Sequence, residues 1–201
     1  LARMPESERA GVTAPVLAAY DRSVAALAEL GAEIVDVEFP FAFEDAVKAG
    51  SISAVEAYHF NRALAEDPAA QLGDAVRSRV MSGAKVPAEQ YFATRRQQAA
   101  MRAQYDAVMG GIDAILTPTT ETAAIPVAAV DEEVLPSRFT RFGNILELCS
   151  LALPNGATAE GLPTSLQVTC RGYDEAMALR IGQAYQSATE WHLRRPAGLD
   201  G

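Results

Sequence analysis

The segment DAILTPTTETAAIP, residues 113–126, places polar side chains on both sides of a proline, directly after a short apolar run. The polar residues are Thr117, Thr119, Thr120 and Glu121. In α/β proteins, ligands bind in the crevice outside the carboxyl ends of the strands. The segment therefore predicts a binding turn at the end of a buried strand.

The side chains that most often carry catalysis do not form a recognisable set in this sequence. The two cysteines, Cys149 and Cys170, and the two histidines, His59 and His192, lack the paired spacing of a zinc site. A Cys–His nucleophile and base is the less favoured interpretation, because buried thiols and surface or capping histidines are commoner. The sequence contains neither a phosphate-binding Gly-rich motif nor a G-x-S-x-G nucleophile motif. We therefore expect no metal and no cofactor.

The composition excludes some classes of partner. The 201 residues carry a net charge of −9, which disfavours a nucleic-acid groove and docking on anionic membranes. The acidic runs at 44–45 and 131–133 are interpreted as solvated faces rather than as acid/base pairs. No apolar run is long enough to span a bilayer. With so few cysteines, a reducing cytoplasmic location is expected.

Hydrophobic spacing predicts an α/β chain in which helices outnumber strands. A helix is predicted from Thr13 to Gly31, where glycine is typical of a helix C-terminus. Residues 42–109 are predicted to be mostly helical and to end in a long polar helix from Pro87 to Met109. Strands are predicted at 35–39, 114–116, 151–153 and 165–170. The small number of strands is consistent with a sheet whose other strands are missing.

The C-terminal third combines a long loop, a hairpin and a helix. Residues 120–137 are predicted to be a loop, and loops of that length are often functional. A short helix is predicted at 139–149, and the next two strands are expected to pair antiparallel around a turn in residues 154–163. Asp174 is predicted to cap the final helix. The tail after it is expected to be flexible, above all residues 197–201.

Five segments, in this order, resemble the C-terminal region of amidase-signature enzymes. They are LAELGAEIVDVEFP, VRSRVMSGAKVPAEQYFATRRQ, DAILTPTTETAAIP, FTRFGNILELCSLALPNG and GLPTSLQVTCRGYDEAMALRIGQAY. The resemblance implies an α/β/α fold around a large mixed sheet. Residues 1–201 would then be a single C-terminal fragment of the amidase domain, with helices packed on an incomplete mixed sheet.

The resemblance also implies a chemistry whose residues this sequence lacks. The family cleaves or transfers amide nitrogen with a Ser–cis-Ser–Lys triad and an oxyanion site in a Gly/Ser-rich loop. That loop is absent here, and Lys48 and Lys85 have no serine-rich partner segment. We therefore expect the parent protein to hydrolyse a small carboxamide to a carboxylate and ammonia. No catalytic residue is expected in this chain, which alone should be inactive.

Four residues are expected to bind the substrate. Arg79 matches an arginine that holds the carboxylate of the amide donor in the tRNA-dependent amidotransferase, although a surface position or an internal salt bridge is an open alternative. Ser137 matches an aspartate that holds the donor's amino group there. Because serine cannot pair with an ammonium as a carboxylate does, a hydrolase is favoured over a transferase. Thr117 and Thr119 are expected to line one wall of the pocket or, alternatively, to cap the strand end.

The partners expected from the resemblance are a small-molecule amide and the N-terminal half of the amidase. Without that half the chain would expose an apolar sheet edge, so it is expected to form a homo-oligomer or to bind the missing half. The alternative is a non-catalytic binding or interaction module with an amidase-like fold. The reading frame upstream of Leu1 distinguishes the two, because only an enzyme needs a lysine and a Gly/Ser-rich loop there.

Overall fold

A four-stranded mixed sheet lies between helices that pack on both of its faces. The computed structural model describes residues 1–132, 134 and 136–196. The strands are β1 (Ala2–Arg3), β2 (Ala114–Pro118), β3 (Cys149–Ala157) and β4 (Pro163–Cys170). Their spatial order is β1-β2-β4-β3, in which β1 is parallel to β2 and the other neighbours are antiparallel.

The helices account for most of the remaining described chain. They are α1 (Ala14–Glu29), α2 (Phe43–Lys48), α3 (Ser51–Glu66), α4 (Asp74–Ser82), α5 (Ala88–Val108), α6 (Arg138–Ile145) and α7 (Glu175–Ala188). Helices α1 and α7 pack on one face of the sheet, and α6 packs on the other. This layering agrees with the predicted α/β/α fold. None of the described helices is long and apolar enough to cross a membrane.

The predicted ends of α1 are confirmed. Gly31 has a φ of 95°, a left-handed conformation that glycine adopts at little cost. Its N–H donates to the carbonyl of Ala28 at 2.9 Å, and the N–H of Ala32 donates to the carbonyl of Leu27 at 3.0 Å. These two bonds satisfy carbonyls of the last helical turn, so the chain leaves the helix at this point.

The predicted hairpin is confirmed with a shorter turn. Strands β3 and β4 pair from Cys149 opposite Cys170 to Ala157 opposite Pro163, so pairing extends into the segment predicted as turn. The register shifts between Pro154 and Gly156. Proline has no N–H to donate to a ladder, which makes an irregularity at this point favourable.

The strand predicted at 35–39 is wrong beyond its first residue. Only Val35 pairs, through an isolated parallel bridge to Ala2. The segment it faces, β1, ends at Arg3, and Pro5 follows shortly after. Phe39 is half-buried against the core and stacks on Tyr105, with ring centroids 5.5 Å apart. The alternating pattern therefore places apolar side chains against the core without a partner strand beyond Arg3.

The end of the chain is only partly described. Asp174 occupies the N-cap position of α7, as predicted, but its side chain makes no capping hydrogen bond. His192 lies in a 3₁₀ turn, Trp191–Leu193, that packs against β3, so the expected flexibility does not begin there. The flexible tail predicted at 197–201 lies outside the described residues.

Gly83 marks a close approach between the end of α4 and helix α3. A Cβ atom at Gly83 would stand 2.1 Å from the backbone oxygen of Ala54, which cannot move away as a flexible side chain could. We expect Gly83→Ala to lower the free energy of unfolding by about 1–3 kcal/mol through overpacking. Urea denaturation followed by circular dichroism measures this change.

Gly73, which precedes α4, provides the matched control. A Cβ atom there would meet nothing within 4 Å, and the residue has an ordinary φ of −60°. Gly73→Ala should therefore unfold close to the urea concentration of the wild type, because the smaller entropy of its unfolded chain is offset by alanine being a poorer N-cap of α4 than glycine. Equal midpoints for the two alanine variants would contradict the close approach at Gly83.

Candidate functional site

The penultimate residue of strand β2 is a buried threonine that joins the sheet to α6. Thr117 is 1% exposed, and its Oγ1 accepts a long hydrogen bond of 3.5 Å from Nε2 of Gln167. The same amide donates to the carbonyl of Phe139 in α6 at 3.1 Å. This polar set exists because alternate residues of β2 and β4 face α6 and need partners in the interior. Thr117 thus supports the turn from the interior, through Gln167 and α6.

The turn itself is fixed to the neighbouring strand. The N–H of Thr119 donates to the carbonyl of Ser165 at 3.0 Å, and the two hydroxyl oxygens are 2.8 Å apart. The hydroxyl of Thr120 donates to the carbonyl of Thr122 at 2.8 Å. These bonds hold the polar end of β2 in one conformation, as a preorganised binding turn requires.

A cavity of about 580 Å³ opens directly after this turn. Its wall comes from the loop that the sequence predicted as functional. The apolar part of the lining is Ala123, Ala124, Ile125, Ala129, Val130, Val134 and Pro136. The polar part of the described lining is Thr120, Thr122 and Asp131. An apolar concavity with a few polar groups at its edge is the usual form of a small-molecule site.

Arg138, which the sequence analysis missed, lies at the start of α6 and ties three segments together. Its Nη2 donates to the carbonyls of Glu8 and Ala10 at 3.2 and 3.1 Å. Its Nε lies 3.3 Å from the carboxylate of Glu121 in the turn, and its Nη1 lies 3.7 Å from that of Glu8. The guanidinium also covers the ring of Phe139 at 4.7 Å. Arg138 thereby fixes the turn against α6.

Arg79 reaches the far end of the same loop. It is half-buried on α4, and its Nη1 donates to the backbone carbonyl of Glu132 at 3.0 Å. This contact joins α4 to the loop beside Asp131, although Arg79 itself is not among the described residues that line the cavity. A guanidinium has five N–H donors, and this contact uses one of them.

Ser137 stands at the N-cap of α6, next to the cavity-lining Pro136. Its carbonyl accepts from the N–H of Arg141 at 2.6 Å and from the hydroxyl of Thr140 at 3.2 Å. None of the four predicted binding residues is among the described residues that line the cavity: Thr119 and Ser137 adjoin the lining residues Thr120 and Pro136 in sequence, and Thr117 lies beneath the turn. Part of one acidic run, Glu133, lies outside the described residues.

The cysteines and histidines do not form a nucleophilic site. Burial raises the pKa of the Cys170 thiol to about 12, which suppresses the reactive thiolate. The thiol of Cys149 donates to the carbonyl of Arg171 at 3.2 Å. His59 is exposed on α3 against the ring of Phe60. Within the described parts of the chain, no three His, Cys, Asp or Glu side chains are grouped to hold a metal ion.

Comparison with known proteins identifies the family. Residues 1–179 match the family model named Amidase. The chain belongs to the amidase family. It is 35% identical to an amidase of Pseudomonas putida over 199 residues, covering 92% of this chain and 41% of that protein. It is 32% identical to a glutamyl-tRNA(Gln) amidotransferase subunit of Roseiflexus castenholzii, covering 93% of this chain and 44% of that one.

Solved amidase-signature structures share the fold. A crystal structure of an amidase superposes with a TM-score of 0.76 at 23% identity, covering 93% of this chain and 45% of that one. The allophanate hydrolase of Kluyveromyces lactis superposes with a TM-score of 0.79 at 21% identity, covering 100% of this chain and 35% of that one. The amidase chain described here spans less than half the length of these relatives and corresponds to their C-terminal part.

Proposed function

We propose that the protein to which this chain contributes hydrolyses a small carboxamide to a carboxylate and ammonia. The observation that carries the proposal is the amidase family match over residues 1–179, which includes the fixed turn and the cavity after β2. Since the chain spans 41% of the P. putida amidase, the proposed activity belongs to the longer protein and not to these residues alone.

In the proposed mechanism, the remaining part of the amidase supplies a Ser–cis-Ser–Lys triad. The nucleophilic serine attacks the amide carbon, and its proton passes through the middle serine and the lysine to the leaving nitrogen. The C–N bond breaks to release ammonia and an acyl-enzyme ester. Water then attacks the ester with the same proton relay, which releases the carboxylate and restores the serine. Backbone N–H groups stabilise the oxyanion in both steps.

This chain would supply the wall against which the substrate lies. Thr119 and Ser137 flank the turn and the cavity, and Thr117 supports the turn through Gln167. Arg79 has guanidinium donors beyond the one that binds Glu132, and these suit an acceptor oxygen on the substrate. Each of these residues therefore has a binding or supporting role rather than a catalytic one.

The N-terminal half of the amidase is the proposed partner at the β1 side of the sheet. A cavity of about 840 Å³ lies on this side, and its lining combines apolar residues such as Val24 with the charged residues Arg3, Glu6, Arg9, Asp21, Asp36 and Glu38. In the absence of that half, we expect the chain to self-associate as a homo-oligomer, which gel filtration detects.

We also propose a cytoplasmic location.

The test compares the complete reading frame with residues 1–201 alone. Both proteins are incubated with acetamide, butanamide and benzamide, and ammonia release is measured. We expect release from the complete protein and none from residues 1–201. A complete protein that releases no ammonia from any carboxamide, or that has no upstream lysine and Gly/Ser-rich loop, would favour the alternative. That alternative is a non-catalytic amidase-like binding or interaction module.

A further inference from the structure

The two cysteines of the chain lie directly opposite each other at the open end of the β3–β4 hairpin. Cys149, the first residue of β3, pairs with Cys170, the last residue of β4. Directly opposite residues of an antiparallel pair share one face of the sheet, with Cα atoms about 4.5–5.5 Å apart. Disulfides join residues whose Cα atoms are about 4.4–6.8 Å apart. The backbone register therefore holds these two side chains at the separation that a disulfide needs.

The two thiols interact with each other in the reduced protein. Burial is the main cause of the raised pKa of the Cys170 thiol, and a hydrogen bond with Cys149 raises it further. Both cysteines are free, and Cys149 is half-buried whereas Cys170 is fully buried. A reagent from solution therefore reaches the sulfur of Cys149 first and finds the second sulfur beside it.

A pair of thiols in contact can bind a soft metal ion or close to a disulfide. Structural zinc takes four ligands. In the part of the chain that the structure describes, no group of three or more His, Cys, Asp or Glu side chains could hold a metal ion. The pair at the end of the hairpin is therefore better suited to covalent closure than to metal binding.

We propose that Cys149 and Cys170 form a modification site, a dithiol that a small uncharged hydroperoxide closes to a disulfide. Cys149 loses its proton, and its sulfur attacks the terminal oxygen of the hydroperoxide. The O–O bond breaks, the leaving oxygen takes up the proton, and Cys149 becomes a sulfenic acid. The sulfur of Cys170 then attacks that of Cys149, the S–O bond breaks, and the leaving hydroxide takes up the proton of Cys170 as water. The hydroperoxide gains two electrons, one from each sulfur.

The charges around the pair select the class of oxidant. The carboxylates of Asp174 and Asp113 lie close enough to raise the pKa of the Cys170 thiol, although burial raises it more. Together with the net charge of −9, they repel an anionic oxidant such as glutathione disulfide but not a neutral peroxide. In the reducing cytoplasm that we propose, the dithiol is the resting form and the disulfide forms transiently.

The dithiol is separate from the candidate binding turn. Cys170 pairs with Ala114, the first residue of β2, whereas the turn follows Pro118 at the other end of that strand. The inference therefore does not depend on the proposed amide hydrolysis, and its test does not require an active enzyme.

Tryptic peptide mapping of the complete protein provides the test. Both cysteines fall within one tryptic peptide, residues 142–171, because no lysine or arginine lies between Arg141 and Arg171. The peptide contains no methionine, so oxygen added to a sulfur in it belongs to a cysteine. The reduced protein is treated with millimolar hydrogen peroxide and denatured. Its remaining thiols are then alkylated with iodoacetamide before digestion and mass spectrometry.

We expect the peptide from untreated wild type to carry two alkyl groups. After peroxide, it should carry none and should have lost two hydrogen atoms, and dithiothreitol should restore both alkyl groups. Cys149→Ser is the matched variant, and its Cys170 should remain alkylated after peroxide because that thiol is buried. In Cys170→Ser, the sulfenic acid on Cys149 has no partner, so dimedone should trap it.

Two results would overturn the inference. One is a wild-type peptide that gains oxygen at Cys149 while Cys170 is still alkylated, which would show that the second sulfur is out of reach. The other is a wild-type peptide that keeps both alkyl groups after peroxide. Both results come from the wild-type protein, so the test stands even if Cys170→Ser fails to fold.

Discussion

Replacing Arg138 with methionine is expected to lower the free energy of unfolding by about 3 kcal/mol. The guanidinium lies between the carboxylates of Glu8 and Glu121, whose side chains are 7% and 22% exposed. Methionine keeps much of the side-chain volume but removes the charge and every hydrogen bond to Glu8 and Ala10. Two carboxylates would then remain in a poorly solvated place without their cation, which is the costly way to break a buried ion pair. Urea denaturation at neutral pH measures the loss.

The matched control is Arg102→Met. Arg102 pairs with Glu147, but the two side chains are 43% and 49% exposed, so water replaces the lost partner. We expect this variant to lose less than about 1 kcal/mol. The cluster of Arg138, Glu8 and Glu121 is the buried ion-paired cluster. If Arg138→Met lost no more free energy of unfolding than Arg102→Met, burial of this cluster would have no energetic consequence.

A second substitution tests the cause of the loss. Adding Glu121→Gln to Arg138→Met removes one of the two unpaired carboxylates. The double variant should therefore be more stable than Arg138→Met alone, although Glu121→Gln by itself should destabilise the wild type. Additive losses would show that Arg138 acts through packing on Phe139 rather than through charge.

The elements that the sequence predicted correctly are those set by local patterns. The helical spacing from Thr13 to Gly31 and the alternation in β4 both depend on neighbours within a few residues. The strand predicted at 35–39 failed because its alternation was not matched by a partner strand beyond Arg3. Strand pairing depends on a distant segment, which no local pattern reports.

The predictions for the candidate site show the same contrast between local patterns and contacts that join distant segments. The turn with Thr119 follows from a local change from apolar to polar residues, and its position at the end of β2 agrees with the prediction. Arg138 and Glu8 are 130 residues apart, so no spacing rule could pair them. The contact of Arg79 with Glu132 spans 53 residues and was equally inaccessible. The sequence thus predicted the polar turn at the end of β2, but not which charges fix the segments around it.

The largest loss of stability is expected from Phe142→Ala. Phe142 is fully buried on α6 and stacks on Phe43, with ring centroids 4.0 Å apart. It also contacts the rings of Phe39 and Tyr105 at 6.1 and 5.6 Å. It therefore joins the segment before α2, the end of α5 and the helix that presents Arg138. Alanine would leave a cavity among these rings, and we expect a loss of about 3–5 kcal/mol.

Phe60→Ala provides the comparison for Phe142→Ala, because Phe60 is 81% exposed on α3 and loses little contact on truncation. The free energy of unfolding of Phe60→Ala should stay within about 0.5 kcal/mol of the wild type. Chemical denaturation of both variants gives the two values, and near-ultraviolet circular dichroism reports the aromatic packing.

Because Phe142 lies one turn after Arg138, its loss should also loosen the ion-paired cluster. Arg138→Met should then cost less in the Phe142→Ala background than in the wild type. Equal costs in the two backgrounds would show that the aromatic cluster and the wall of the candidate site are energetically independent.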